Sequence, residues 1–281
     1  MERKTFSQVL KDTSFNWKKE YERLYYIFYK ESHHVDITDY CTIREFISKS
    51  FKKITLRDTC LTLSDYDSVH KKCFGESVPA NADVDYLLSF CEYSYNLVCG
   101  ARDANDSKIP YRWRERMKEP LDLYIKQVLT VIEKMGYMCN EKEGETHIVP
   151  KSQAAISVSE ILNQDLSSLL LEYNHNSMKG NLEGKRRVLE SLAIELENYE
   201  TKLEHISKAL RSDIGFLLNT LNIRHNNIGK DSKNYKKAVA NMSDEEREYW
   251  YDETYQTLLL VFLKINHVER KKRMSELKKS L

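Results

Sequence analysis

The chain has 281 residues, enough to bury a full hydrophobic core as one large domain or two smaller ones. Its 44 Lys+Arg and 43 Asp+Glu nearly cancel, which excludes a global basic field of the kind that marks a nucleic-acid-binding protein, so any such binding is local. With 8 Gly and 4 Pro there are few turn signals, which favours long helices over many short strands: the expected fold is mainly α.

The first predicted element is the helix in "NWKKEYERLYYIFYKE". Trp17, Tyr21, Leu24, Tyr25 and Phe28 recur there at spacings of three and four, the pattern of one packing face. His33 and His34 follow beside Asp36 and Asp39 in what reads as a loop, without the spacing of a metal site. In "TIREFISKSFKKI", Ile43, Phe46, Ile47 and Phe51 line one side and Lys49, Lys52 and Lys53 a solvated one. A loop around "GESVPANAD" contains Gly75, Pro79 and Asn81, and Asp83 is placed to cap the buried helix expected over 84–100, ending at Gly100. "ARDANDSKIPYRWRERMKEP" has the composition of a connecting loop. There Arg112, Arg114 and Arg116 alternate with Tyr111 and Trp113, a mixture that could stack on bases but reads first as a structural corner.

Pro120 fits the first turn of a helix that runs to Gly136. "YMCNEKEGETHIVPK" is two β-prone pieces about a Gly-containing turn, a small hairpin and the one clear strand signal. Helices return from Ser152: "SQAAISVSEIL", "DLSSLLLEYNHN", and a run from Leu182 to Tyr199 in which Ile194 departs from the apolar stripe. "KLEHISKALRSDIGFLLNTLNI" then leads to the polar turn "RHNN". The next helix opens on Ser243 and Glu246, the pattern of a capping box. Its most apolar window, "TLLLVFL" at 257–263, is far short of the roughly 20 residues that cross a bilayer, so no membrane span is expected.

Two polar clusters could carry chemistry. Arg224, His225, Asn226 and Asn227 stand in a row between two long helices, followed by Lys230, Lys233, Lys236 and Lys237. Asn takes capping and left-handed conformations readily and Arg can bond terminal carbonyls, so a polar helix end is one reading. The other is an anionic site, with His moving a proton near neutral pH and Arg stabilising charge that builds on a phosphate. The second cluster, Tyr173, Asn174 and His175, ends one helix. His175 either complements that helix terminus or folds back toward Arg224. Asp213 lies eleven residues before Arg224, roughly 16 Å along a helix, and is expected to pair with Arg211 or a neighbouring helix instead. Phosphate loops, H-E-x-x-H, G-x-S-x-G and G-x-G-x-x-G are absent. The six cysteines (Cys41, Cys60, Cys73, Cys91, Cys99 and Cys139) are dispersed, with no C-x-x-C pair, and the N-terminus has no apolar leader, so a reduced cytoplasmic protein with no metal and no cofactor is expected.

Two long helices joined by a turn carrying Arg, a polar residue and His resemble the HEPN superfamily, which includes ribonucleases of prokaryotic defence and toxin systems. The resemblance covers roughly 116–281 and implies an N-terminal helical region over 1–115 followed by a HEPN-like helical domain over 116–281. It implies a metal-independent ribonuclease of antiviral (abortive-infection) defence or a toxin, with RNA as substrate and a homodimer. Arg224, His225 and Asn226 would be catalytic, and Asn227, Lys230, Lys233, His175 and the basic tail at Arg270, Lys271 and Lys272 would bind substrate. In the family His falls four to six residues beyond the Arg, whereas His225 is adjacent here and Gly229 and Lys230 stand in the usual place. The alternative is therefore a non-catalytic helical scaffold or effector-binding subunit of a defence complex, holding a partner protein or nucleic acid.

Overall fold

A computed structural model describes residues 15–55, 59–70, 74, 78–104 and 106–281. The described chain is mostly helical, as the scarcity of Gly and Pro favours, and carries two small antiparallel two-stranded sheets where one hairpin was expected. It divides into two compact units, Met1–Ile148 and Val149–Leu281. The boundary expected at 115/116 lies instead inside a long helix that belongs wholly to the first unit.

In the first unit, α1 (Trp17–Tyr29) buries Tyr21, Leu24, Tyr25 and Phe28, the face given by the aromatic spacing. A hairpin the sequence did not signal follows, β1 (Ser32–His34) paired with β2 (Tyr40–Thr42) in the register His33↔Cys41. His33 and His34 are thus strand residues rather than loop residues; three-residue strands are too short for periodicity to reveal. Helix α2 (Ile43–Ser50) starts on a Thr42/Glu45 capping box. After a single 3₁₀ turn at Phe51–Lys53 comes α3 (Leu63–His70). Helix α4 (Val84–Asp103) is capped by Asp83, as expected, and runs three residues past Gly100. Gly100 serves close packing: a Cβ there would sit 2.7 Å from Ile54 Cγ2. Gly75 and Cys73 lie outside the described residues.

Helix α5 spans Tyr111–Lys134 with Pro120 in its interior, so the stretch read as a corner is the first turns of this helix. The proline forgoes one bond to the Arg116 carbonyl where Arg116, Lys118 and Glu119 face solvent. The basic-aromatic mixture is used internally: Arg112 pairs with Asp36 at 2.8 Å and Lys49 lies 5.1 Å from the Trp113 ring centre. The hairpin β3 (Tyr137–Lys142) and β4 (Glu145–Pro150) stands as expected, turning on Glu143 and Gly144, both at positive φ (53° and 85°). This unit's core is aromatic, with Phe90 of α4 in edge-to-face contact with Tyr21 (5.0 Å) and Phe74 (5.1 Å). Arg44 is bound beside it by the Tyr93 hydroxyl and the Asp67 carboxylate.

The second unit opens with α6 (Gln153–Ser159) and α7 (Gln164–Glu172), followed by α8 (Leu182–Glu197). The helix expected as one piece from Lys202 is two: α9 (Glu200–Ile206) and α10 (Lys208–Thr220), broken where extended Ser207 caps the second by accepting from the Leu210 N–H. After the loop and short α11 (Lys237–Ala240) comes α12 (Asp244–Ser280), with the Ser243/Glu246 capping box formed. Its Tyr251, Tyr255, Leu258, Leu259 and Phe262 are buried in the unit's core with Leu189, Leu192 and Leu218. Ile194 is 63% exposed, in accord with its departure from the stripe. Among the described residues no helix is long and apolar enough to cross a membrane, and no described cysteine forms a disulfide.

Candidate functional site

The polar turn begins where α10 runs out of partners. Leu221 closes the helix with a bond to the Leu217 carbonyl, and Asn222 turns the chain in the left-handed region at φ 60°, which Asn tolerates better than other side-chain-bearing residues. Asn222 and Asn227 then lock reciprocally. The Asn222 N–H donates to Asn227 Oδ1 at 2.9 Å and the Asn227 N–H to Asn222 Oδ1 at 3.0 Å. Asn227 Nδ2 donates to the carbonyls of Asn219 (3.2 Å) and Asn234 (2.9 Å), and its own carbonyl accepts from the Lys236 N–H at 2.8 Å. Asn227 is fully buried, so every polar group it has is spent on the loop.

This geometry sends neighbouring side chains in opposite directions. Arg224 turns inward: Nη2 donates to the Ala193 carbonyl of α8 at 3.0 Å and lies 3.4 Å from Glu197, while Nη1 is 3.9 Å from Glu200. Only 18% of its side chain is exposed. His225 and Asn226 point out into solvent, and Asn226 Oδ1 accepts from the Gly229 N–H at 2.8 Å. Arg186 and Glu190 of α8, with Asn222, Ile223, Arg224, His225, Asn226, Ile228 and Gly229, line one open cleft of about 660 Å³.

The cleft is electrically balanced. Arg186 bonds Glu183 at 2.9 Å and Glu190 at 3.1 Å, and Arg224 faces Glu197 and Glu200. Hydrogen bonds from Arg186, then Arg187, hold the Glu183 carboxyl down at about 2. Both arginines of the cleft thus face carboxylates of the same unit, and the lysines that follow the turn, Lys230, Lys233, Lys236 and Lys237, are exposed.

Of the expected site residues, Arg224, His225 and Asn226 do share one cleft, whereas Asn227 is an internal strut with no face toward it. His175 lines a different cleft, with Tyr173, Lys185, Asp252 and Tyr255, and shares no lining residue with the first. Its Nδ1 accepts from the Ser177 N–H at 3.2 Å, which caps the short Asn176–Met178 turn. The basic tail is remote: Asn222 packs at Tyr251, and Arg270 follows nineteen residues later, roughly 28 Å along α12. Arg211 pairs with Glu200 (3.8 Å) and Glu204 (3.9 Å) rather than with Asp213.

Sequence reading missed Arg186 and Glu190, which reach the cleft from a helix some 35 residues earlier. It also missed Lys185, whose side chain is 7% exposed and which bonds Asp252 at 2.6 Å and Glu248 at 2.8 Å beneath the stacked rings of Tyr173 and Tyr255. The class defined by fold and site is an all-helical unit presenting a polar loop crest between helices. Compared with protein-family models, curated proteins and solved structures, the chain matches none.

Proposed function

We propose that the second unit is a non-catalytic helical binding subunit, in which the crest of His225, Asn226 and Ile228 meets a partner protein or nucleic acid. The observation that carries this reading is the commitment of Arg224 to the Ala193 carbonyl, Glu197 and Glu200. A transition-state cation must face the charge that develops on substrate, whereas this guanidinium is bonded to a backbone carbonyl and flanked by two half-exposed carboxylates on the inward side. The loop beneath the crest is fixed by Asn227, which suits recognition: a rigid loop loses little entropy on binding. If the chain shares the HEPN character that its Arg-His turn resembles, such a subunit would serve a prokaryotic defence complex.

The test is a His225→Ala/Asn226→Ala double variant, both positions being exposed and the loop losing only the exposed bond from the Gly229 N–H to Asn226 Oδ1. With helical content unchanged, the complex recovered from cells with the native chain should be lost. Recovery of the same complex at the same yield would show that the crest is not the contact surface.

The second reading is a metal-independent ribonuclease, favoured by the presence of Arg224, His225 and Asn226 in one cleft. It needs Arg224 to leave its carboxylates when RNA enters and His225 to move the proton. It is distinguished by cleavage of total RNA or tRNA that persists with a chelator.

A further inference from the structure

Helix α12 carries a face along its whole length that none of the described residues covers, with opposite charge in its two halves. Viewed down the axis at 100° per residue, Glu246, Tyr249, Glu253, Leu260, Lys264, Lys271, Met274 and Lys278 fall within about 40° of one line, and all are exposed. The buried residues of α12 lie on the opposite side. We propose that this face pairs with the same face of a second copy of the chain, antiparallel, about a two-fold axis at Phe262.

Reflection through position 262 sets Glu253 opposite Lys271 and Glu246 opposite Lys278. Tyr249 falls beside Met274, and Leu260 meets the alkyl stem of Lys264. Because the interface is isologous, each pair occurs twice. A parallel pair would set the basic ends against each other, so the charge pattern selects the antiparallel one.

Two features separate this from an ordinary solvated helix. Helix-dipole complementarity accounts for charges in the first and last turns only. Glu253 lies more than two turns inside the start, and Lys264 and Lys271 lie two or more turns before the end. Among the described residues, none of these three side chains has an ion-pair partner within the chain. Moreover, Ile265 is the last buried residue of α12 and Glu269 the last to contact a neighbouring helix, pairing with Lys202 at 3.5 Å, so the stretch from Arg270 to Ser280 is exposed throughout, Met274 and Leu277 included. An isolated helix of about that length is marginal in water, and a partner helix would support it. A strip as long as α12, roughly 55 Å by 10 Å, buries on the order of 1,100 Å² over both copies, at the lower end for specific interfaces. The pairing is therefore weak and salt-sensitive, and it occupies the basic tail without involving the Arg224 turn.

The test is zero-length carbodiimide cross-linking of the full chain at low salt, with peptide mapping of the dimer band. Glu253 and Lys271 are eighteen residues apart on one helix, roughly 27 Å, so a bond joining them arises between chains. We expect Glu253–Lys271 and Glu246–Lys278 links. Sedimentation over a concentration series should show dimer, weakened at least tenfold by Glu253→Lys or by Lys271→Glu alone. The double variant Glu253→Lys/Lys271→Glu should return to within about threefold of the native chain, since reversing both charges restores the pair. Helical content read by circular dichroism certifies that the surface variants fold. A chain that stays monomeric at every concentration in low salt, a dimer indifferent to both single reversals, or a double variant no better than the singles would each overturn the proposal.

Discussion

Replacing Asn227 by Ala removes three side-chain hydrogen bonds from a fully buried position: one accepted from the Asn222 N–H and two donated to the Asn219 and Asn234 carbonyls. Each such bond contributes about 1 kcal/mol net. Asn222 and Asn234 are half-buried and Asn219 is exposed, so water recovers part of the loss. The expected cost is about 2–3 kcal/mol, confined to the unfolding transition of the second unit. Asn227→Asp keeps size and the accepting oxygen but loses both donors and sets a carboxylate against two carbonyls, so it should cost at least as much as Ala. Urea denaturation followed by circular dichroism, with the slope of the transition unchanged, measures both. A loss below about 0.5 kcal/mol for Asn227→Ala, or Asp tolerated better than Ala, would refute the claim that these bonds build the loop.

Acid should weaken the second unit. Hydrogen bonds from Lys185 first and from the Gly180 N–H second hold the Glu248 carboxyl below its ordinary value near 4.5. A depressed folded-state value contributes stability above the unfolded one, lost as pH falls through the folded one. The midpoint should therefore drop below about pH 4.5, and Glu248→Gln should flatten that drop in a pH series of thermal melts. Gly100→Ala should destabilise the first unit by about 1 kcal/mol: crowding Ile54 costs about 1–3 kcal/mol against up to about 1 gained in helix propensity, read as a fall in its denaturation midpoint. Arg224→Ala should lower stability by about 1–2 kcal/mol through the bond to Ala193 and the ion pairs with half-exposed Glu197 and Glu200, while His225→Ala leaves it within about 0.5 kcal/mol.

Helices with a clean stripe were legible in the sequence. Tyr21, Leu24, Tyr25 and Phe28 at helical spacing are buried together, Asp83 and Ser243 cap the helices assigned to them, and the Glu143–Gly144 turn closes its hairpin. Features set by tertiary context were not. Pro120 reads as a helix start, yet α5 carries it internally because Met117, Leu121 and Tyr124 on either side bury in the core. Ser207 breaks a continuous apolar pattern by capping α10. At the site, proximity in sequence showed that Arg224 and His225 share a turn, but not that left-handed Asn222 and buried Asn227 send one inward and the other outward. The carboxylates that occupy Arg224 come from Glu197 and Glu200, on helices whose docking no local pattern reveals.

The assignment of Arg224 to the fold rather than to chemistry is tested most directly by incubating the purified full chain with total RNA and tRNA, with and without a chelator, beside Arg224→Ala and His225→Ala. We expect no cleavage by any of the three. Chelator-resistant cleavage by the native chain that vanishes in both variants, with each variant still folded, would contradict it.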